Sequence, residues 1–284
     1  MDKDILQRIE EKLPKMTSQQ QLIALAVLKD PLKIAFSSVR EFAESVGVSA
    51  ASIVRFSQLF TDGGFPEMQE ELQVYIQMAS NPLQRFELNF SPTTDEAMLV
   101  TKIYETQLTN LQNTFTSTFV SSTIEAAKLI TQARHIYTLG SRGSRSTAYY
   151  LGHHLNRVFQ NADPIPDDDR LADQLLRATP DDVAIIFALP RYSKRLLSAA
   201  RRLHNLGLKV ITVNNSPKSP FVPYSDIPLY VSYQSNDFHN SQLSSMLLAE
   251  IIISLVINND RKTALQSLDA IENCFNDMEQ FTAT

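Results

Sequence analysis

The spacing of apolar positions divides the chain into two textures. Over the first eighty or so residues, apolar side chains recur every three to four positions in short runs bounded by cap and breaker residues. Thr17 stands as N-cap to a run through Lys29 in which Leu22, Ile23, Ala26 and Val27 share a face, and Pro31 ends it. Further helices are predicted over 38–46, 50–60 and 66–78. Pro66 suits a first helical position, where its missing N–H is no loss. Residues 80–95 (SNPLQRFELNFSPTTD) carry two prolines and several turn formers, so they read as a linker.

Beyond the linker the texture changes. One long amphipathic helix, predicted from about Asp95 to Thr118, presents Val100, Ile103, Tyr104, Leu108 and Leu111 as a single apolar stripe. Short β-rich runs follow at 135–139, 183–189, 208–214 and 227–231, with a weaker one at 158–162, and helical patterns fill most of the gaps. Strands alternating with helices imply a parallel sheet covered on both faces. The expected organisation is an all-α domain over 1–79, the linker over 80–95, and an α/β domain with its leading helix over 96–284. In such a sheet ligands bind at the carboxyl ends of strands, which makes the loops after strands the places to look for chemistry.

Composition narrows the classes. With 43% apolar residues, 284 residues can bury two cores. No apolar run approaches the roughly 20 residues that span a bilayer; the greasiest stretch, 246–257, is broken by Glu250 and Ser254. The N-terminus shows no signal pattern, so no membrane partner is expected and the cytoplasm is the expected compartment. A single cysteine, Cys274, excludes an intrachain disulfide and a cysteine-based zinc site. The run Asp167-Asp168-Asp169 lacks the alternating ligands and glycine of a calcium loop and reads as solvated. No metal or cofactor is implied.

The first candidate function lies between 39 and 56. Ala43 is small enough for a following helix to cross over it. Gly47 offers the positive φ that a tight turn needs, Ser49 can cap the next helix, and Ile53 and Phe56 face back to the core. That is a helix-turn-helix, with Ser49, Ala50, Ala51, Ser52 and Arg55 expected to face a major groove. Arg55 is the base-edge candidate and Arg40 a phosphate contact. Residues 1–80 hold eight Lys/Arg against eleven Asp/Glu, and the whole chain has net charge −5. Phosphate attraction is therefore weak per monomer, and pairing two half-sites would compensate.

The second lies after the first strand. Gly140, Ser141, Arg142, Gly143 and Ser144 open a helix, so amides, hydroxyls, a guanidinium and a positive helix end converge on one place. The segment has neither the Gly-Lys-Ser/Thr of a P-loop nor a full GxGxxG. The next long strand ends in Leu189-Pro190-Arg191-Tyr192-Ser193-Lys194-Arg195, where Arg191 can grip a phosphate bidentately and Tyr192, Ser193 and Lys194 add donors.

Together these segments resemble the MurR/RpiR family of bacterial regulators, which join an RpiR-type helix-turn-helix to a SIS (sugar isomerase) domain. The stretch SVREFAESVGVSAASIVRFSQLF is similar to the family's DNA-reading unit. GSRGS, LADQLLRATPDDVAIIFALPRYSK and KVITVNNSPKSPF are similar to its sugar-phosphate domain. The resemblance implies a five-stranded parallel sheet, a homodimer or tetramer, double-stranded DNA as partner and a phosphorylated sugar or related acidic small molecule as effector. It also implies Ser141 and Ser144 as phosphate contacts, with Ser193 as the hydroxyl of the second loop. There the family often carries Ser-x-Ser-Gly-x-Thr-x-Glu, whereas this chain has Ala188, Pro190, Arg191, Ser193 and Arg195. Cations replace hydroxyls and a glycine, which favours a more acidic ligand than a sugar monophosphate.

Two other functions compete. A phosphosugar isomerase on the same fold needs a base at the sheet edge, for which His239 is the candidate, with Glu250 further along the following helix and His153 and His154 expected to pack or face a subunit. The acidic N-terminal domain also suits a ligand sensor that no longer binds DNA. For a regulator, ligand at the strand ends would alter how paired α/β domains sit, with the helix from about Asp95 as the link.

Overall fold

The structure is a computed structural model that describes residues 4–35, 37–79, 82–89 and 95–279. The chain divides into two compact units, residues 1–81 and residues 82–284.

The first unit is all helical: α1 (Ile5–Lys12), α2 (Ser18–Lys29), α3 (Pro31–Ala35), α4 (Val39–Val46), α5 (Ala50–Ser57) and α6 (Phe65–Ala79). Three of these starts are written in local chemistry. Asp4 with Gln7, Thr17 with Gln20 and Ser38 with Glu41 each form a reciprocal capping box that satisfies orphan backbone N–H groups. The core gathers Ile9, Ile23, Val27, Phe42, Ile53, Phe56, Met68 and Leu72. Pro31 ends α2 as expected but then opens α3; α1 and α3 are additions to the helices that spacing predicts. The buried face of α2 also differs from the predicted one. Ile23, Ala24 and Val27 point inward, while Leu22 is 55% exposed. From Leu22 to Leu28 that helix is apolar on every side, so periodicity has nothing to choose with.

The second unit runs α7 (Pro82–Asn89), α8 (Glu96–Thr114), α9 (Ser117–Gln132), β1 (Ile136–Gly140), α10 (Ser144–Phe159), β2 (Ala162–Ile165), α11 (Leu171–Leu175), β3 (Val183–Phe187), α12 (Lys194–Asn205), β4 (Lys209–Asn214), β5 (Ile227–Tyr230), α13 (Leu243–Asn259) and α14 (Arg261–Asp277). The five strands lie in the order β2-β1-β3-β4-β5, all parallel, and helices cover the sheet. Two apolar clusters sandwich it: one includes Ile136, Leu151, Ile185 and Ile252, the other Leu139, Ile186, Leu196 and Leu203.

Three expectations need correcting. Residues 82–89 are helix rather than linker, because Pro82 occupies a first helical position and initiates instead of breaking; residues 80, 81 and 90–94 lie outside the described residues. The helix expected to reach Thr118 is two, since Phe115 closes α8 and the Thr116 side chain caps α9. The weak strand falls at Ala162–Ile165, since the apolar residues at 158 and 159 end α10.

The side of α8 that meets the domain is polar. Asn110, fully buried, donates to the Gln234 carbonyl at 2.7 Å and accepts from the Ser232 hydroxyl and the Gln234 N–H. The apolar stripe faces outward, with Val100 68% and Tyr104 66% exposed. Among the described residues no single helix is long and apolar enough to cross a membrane.

Candidate functional site: a recognition helix and a cation-lined cavity

Helix α4 ends on Gly47, whose φ of 74° lets the chain reverse while the Val48 N–H reaches back to the Ala43 carbonyl at 3.0 Å. The Ser49 hydroxyl then accepts from the Ser52 N–H and caps α5. Phe42, Ala43, Ile53 and Phe56 are buried, which fixes the crossing of the two helices and decides which face of α5 meets solvent. Ala50, Ala51 and Arg55 lie on the exposed face with Ser49 beside them. Ser52 does not: it is 7% exposed, shares a 2.9 Å hydrogen bond with the Ser49 hydroxyl and accepts from the Arg55 guanidinium at 3.3 Å. Its role is to brace the cap and the arginine. Val54 and Gln58 take its place on the outer face. Arg40 is exposed but paired with Glu44 at 3.1 Å, one helical turn on.

The turn after α5 is tied down by α1. Arg8 donates to the Phe60 carbonyl and pairs with Glu71, and Lys12 donates to the Leu59 carbonyl at 2.6 Å. These two cations hold the C-terminal end of the recognition helix in place.

In the second unit the chain leaves β1 toward β2 on one side and later returns to β3 on the other, so β1 and β3 flank the switch point of the sheet. Gly140 and Phe187 are register partners at the ends of those strands, and the two predicted loops therefore start side by side. Gly140 is demanded by close approach, for a Cβ there would lie 2.4 Å from the Ser144 carbonyl oxygen at the start of α10.

The loops open into one cavity of about 280 Å3. Ser141, Arg142, Gly143 and Ser144 line it from the β1 loop, and Pro190, Arg191, Tyr192 and Ser193 from the β3 loop. Gly140 and Lys194 do not line it: Gly140 is buried beneath the helix start, and Lys194 is the exposed first residue of α12. Arg142 and Arg191 both adopt left-handed backbone, at φ of 53° and 62°. Ser193 caps α12, accepting from the Leu196 N–H, and its hydroxyl donates to Asp167 at 3.1 Å. Asp167 also faces Arg195, so this carboxylate anchors the second loop, a correction to its reading as a solvated residue. The Tyr192 hydroxyl donates to Asn215 at 2.6 Å, and burial holds that phenol above its ordinary pKa.

Arg85 and Gln242 escaped the sequence reading. Arg85, on α7, lines the same cavity, donating to Asn240 Oδ1 at 2.9 Å and to the His239 carbonyl at 2.7 Å. Gln242 also lines it, with a buried Oε1 that has no partner among the described residues. No local signal marks Arg85, because only the folding-back of α7 brings it there. The isomerase candidates fare differently. His239 lines the cavity with its ring mostly exposed beside Asp237, whereas Glu250 lies outside it, bonded to the Tyr150 hydroxyl. His154 packs against Tyr150, while His153 is exposed and stacks on Tyr149.

A helix-turn-helix joined to an α/β ligand-binding domain is the build of a metabolite-responsive DNA-binding protein. A model of the rpiR-family helix-turn-helix domain matches residues 3–79, and a SIS domain model matches residues 129–258. A Thermotoga maritima protein named as an uncharacterized HTH-type transcriptional regulator is 26% identical over 273 residues, covering 95% of each chain. The Vibrio vulnificus NanR protein complexed with ManNAc-6P aligns with a TM-score of 0.58 at 17% identity, covering 97% of this chain and 99% of that one. The sugar isomerase domain of an RpiR transcription factor from Sphaerobacter thermophilus aligns at 0.56 and 18% identity, covering 62% of this chain and 99% of that one. The chain belongs to the RpiR family of transcription regulators, with its helix-turn-helix followed by a SIS domain.

Proposed function

We propose that the protein binds operator DNA through α5 as a homo-oligomer in the cytoplasm, and that a phosphorylated sugar or related acidic metabolite in the cavity changes that binding. One observation carries the reading: two independent strand-end loops converge on a single cavity with Arg142 and Arg191 among its lining and, among the described residues, no Asp or Glu. Such a site is suited to an oxyanion. That NanR is complexed with ManNAc-6P on a related fold agrees with a sugar phosphate as ligand class.

Binding without turnover is the role that the lining supports. Proton shuttling between adjacent carbons needs a base in contact with substrate. No carboxylate is among the described residues of the lining, the His239 ring on the cavity wall stands mostly exposed beside Asp237, and Glu250 is engaged elsewhere. Self-association is supported by the outward apolar stripe of α8, and it would let two weakly attracting helix-turn-helix units act together on paired half-sites.

In vitro selection of DNA by the full chain tests the DNA arm. Wild type is expected to enrich a two-fold symmetric sequence. Arg55→Ala is expected to relax one base position by about 1–3 kcal/mol, the worth of a bidentate base contact. An unchanged motif and affinity in the variant would remove α5 from the groove.

A further inference from the structure

We infer that the cavity holds a ligand with two separate anionic groups, a phosphate at the 141–144 loop and a carboxylate read by Arg85, which makes the effector a phosphorylated sugar acid. This rests on the reading of the cavity as the effector site and specifies its ligand.

The charge inventory points this way. A phosphate monoester carries about −1.5 to −2 at neutral pH. Arg142, Arg191 and the positive end of α10 already match that charge. Arg85 brings a third guanidinium from a different element, and no acidic side chain is among the described residues of the lining. A partly buried cation needs a counter-charge to offset its lost hydration. Burial draws the Arg85 pKa down and the charge of Arg191 acts in the same direction, together outweighing the opposing influence of Tyr233 and Asp237. A second anion in the ligand would relieve both.

Geometry makes Arg85 a reader rather than a bystander. Its guanidinium is steered by Asn240 Oδ1 and the His239 carbonyl, and Asn240 in turn donates to the Pro190 carbonyl at 3.0 Å, beside Arg191. Those are its two hydrogen bonds among the described residues, out of five N–H donors that a guanidinium offers. The remaining fork suits a planar carboxylate. The buried Gln242 Oε1, without a partner among the described residues, offers an acceptor for a hydroxyl of the carbon chain between the two groups.

Calorimetric titration of the full chain with matched probes tests this. The pairs are 6-phosphogluconate against glucitol 6-phosphate, and 3-phosphoglycerate against glycerol 3-phosphate; within each pair a carboxylate replaces a primary alcohol. Inorganic phosphate is the fifth probe. In at least one pair the acid is expected to bind about tenfold tighter, the scale of one charge-assisted hydrogen-bonded contact. Arg85→Gln should bring that ratio to about one, and Arg85→Lys should keep part of it, with the melting temperature of each unliganded variant confirming that it folds. Equal affinities within both pairs, or a ratio that survives Arg85→Gln, overturn the inference while phosphate binding itself stands. Failure of all five probes, inorganic phosphate included, overturns the effector-site reading and this inference with it.

Discussion

Arg142 and Arg191 occupy the strand-end loops with backbone that a Cβ disfavours, at a cost of about 1 kcal/mol or more each. Their side chains supply two of the cavity's guanidinium groups, so the strain and the ligand site coincide. Arg191→Gly should separate the two. Glycine relieves the backbone at a smaller cost in unfolded-state entropy, so the unliganded protein is expected to gain roughly 0.5–1 kcal/mol while phosphate-ligand affinity falls about tenfold or more. Melting temperature and calorimetric affinity read the two effects, and a variant that loses stability and keeps affinity would refute the assignment. Single residues were legible wherever their partner lies within a few positions. Ser49 and Gly47 act as their local chemistry predicts, since caps and left-handed turns are short-range devices. Ser52 misled because a helix start exposes it on paper, whereas the cap hydroxyl and Arg55 close over it.

Elements were legible in proportion to the contrast along them. The strands β1, β3 and β4 are largely buried runs and β5 buries alternate residues; all four are bounded by turn residues and fall within a residue or two of their predicted ends. Helix α2 lacked contrast, and α7 was hidden because proline and asparagine weigh toward turns when position in the helix is ignored. The α8 stripe shows a different gap: spacing reveals an apolar face without saying what it meets. Its domain-facing side is a polar ladder through Asn110 and Thr114, which leaves Val100, Ile103, Tyr104 and Leu108 outward. If that stripe is the seam between copies, Tyr104→Glu buries a charge there and should weaken self-association by tenfold or more without unfolding the domain. Sedimentation equilibrium distinguishes this from an unchanged mass, which would move the interface elsewhere.

For the molecule as a whole, composition gives DNA binding no encouragement, with net charge −5 and an acidic first unit. The structure sharpens that tension. Arg8 and Lys12 secure the end of α5 and Arg40 is engaged by Glu44, so Arg55 is the cation that the recognition helix itself presents. Affinity then depends on pairing and on a few base-edge contacts more than on phosphate attraction, and a ligand that alters the pairing has strong leverage. The direct measurement is fluorescence anisotropy of a selected operator titrated with the full chain, with and without a saturating sugar phosphate from those that bind. The account predicts midpoints that differ at least about fivefold, in either direction. Superimposable curves under saturating ligand would contradict it.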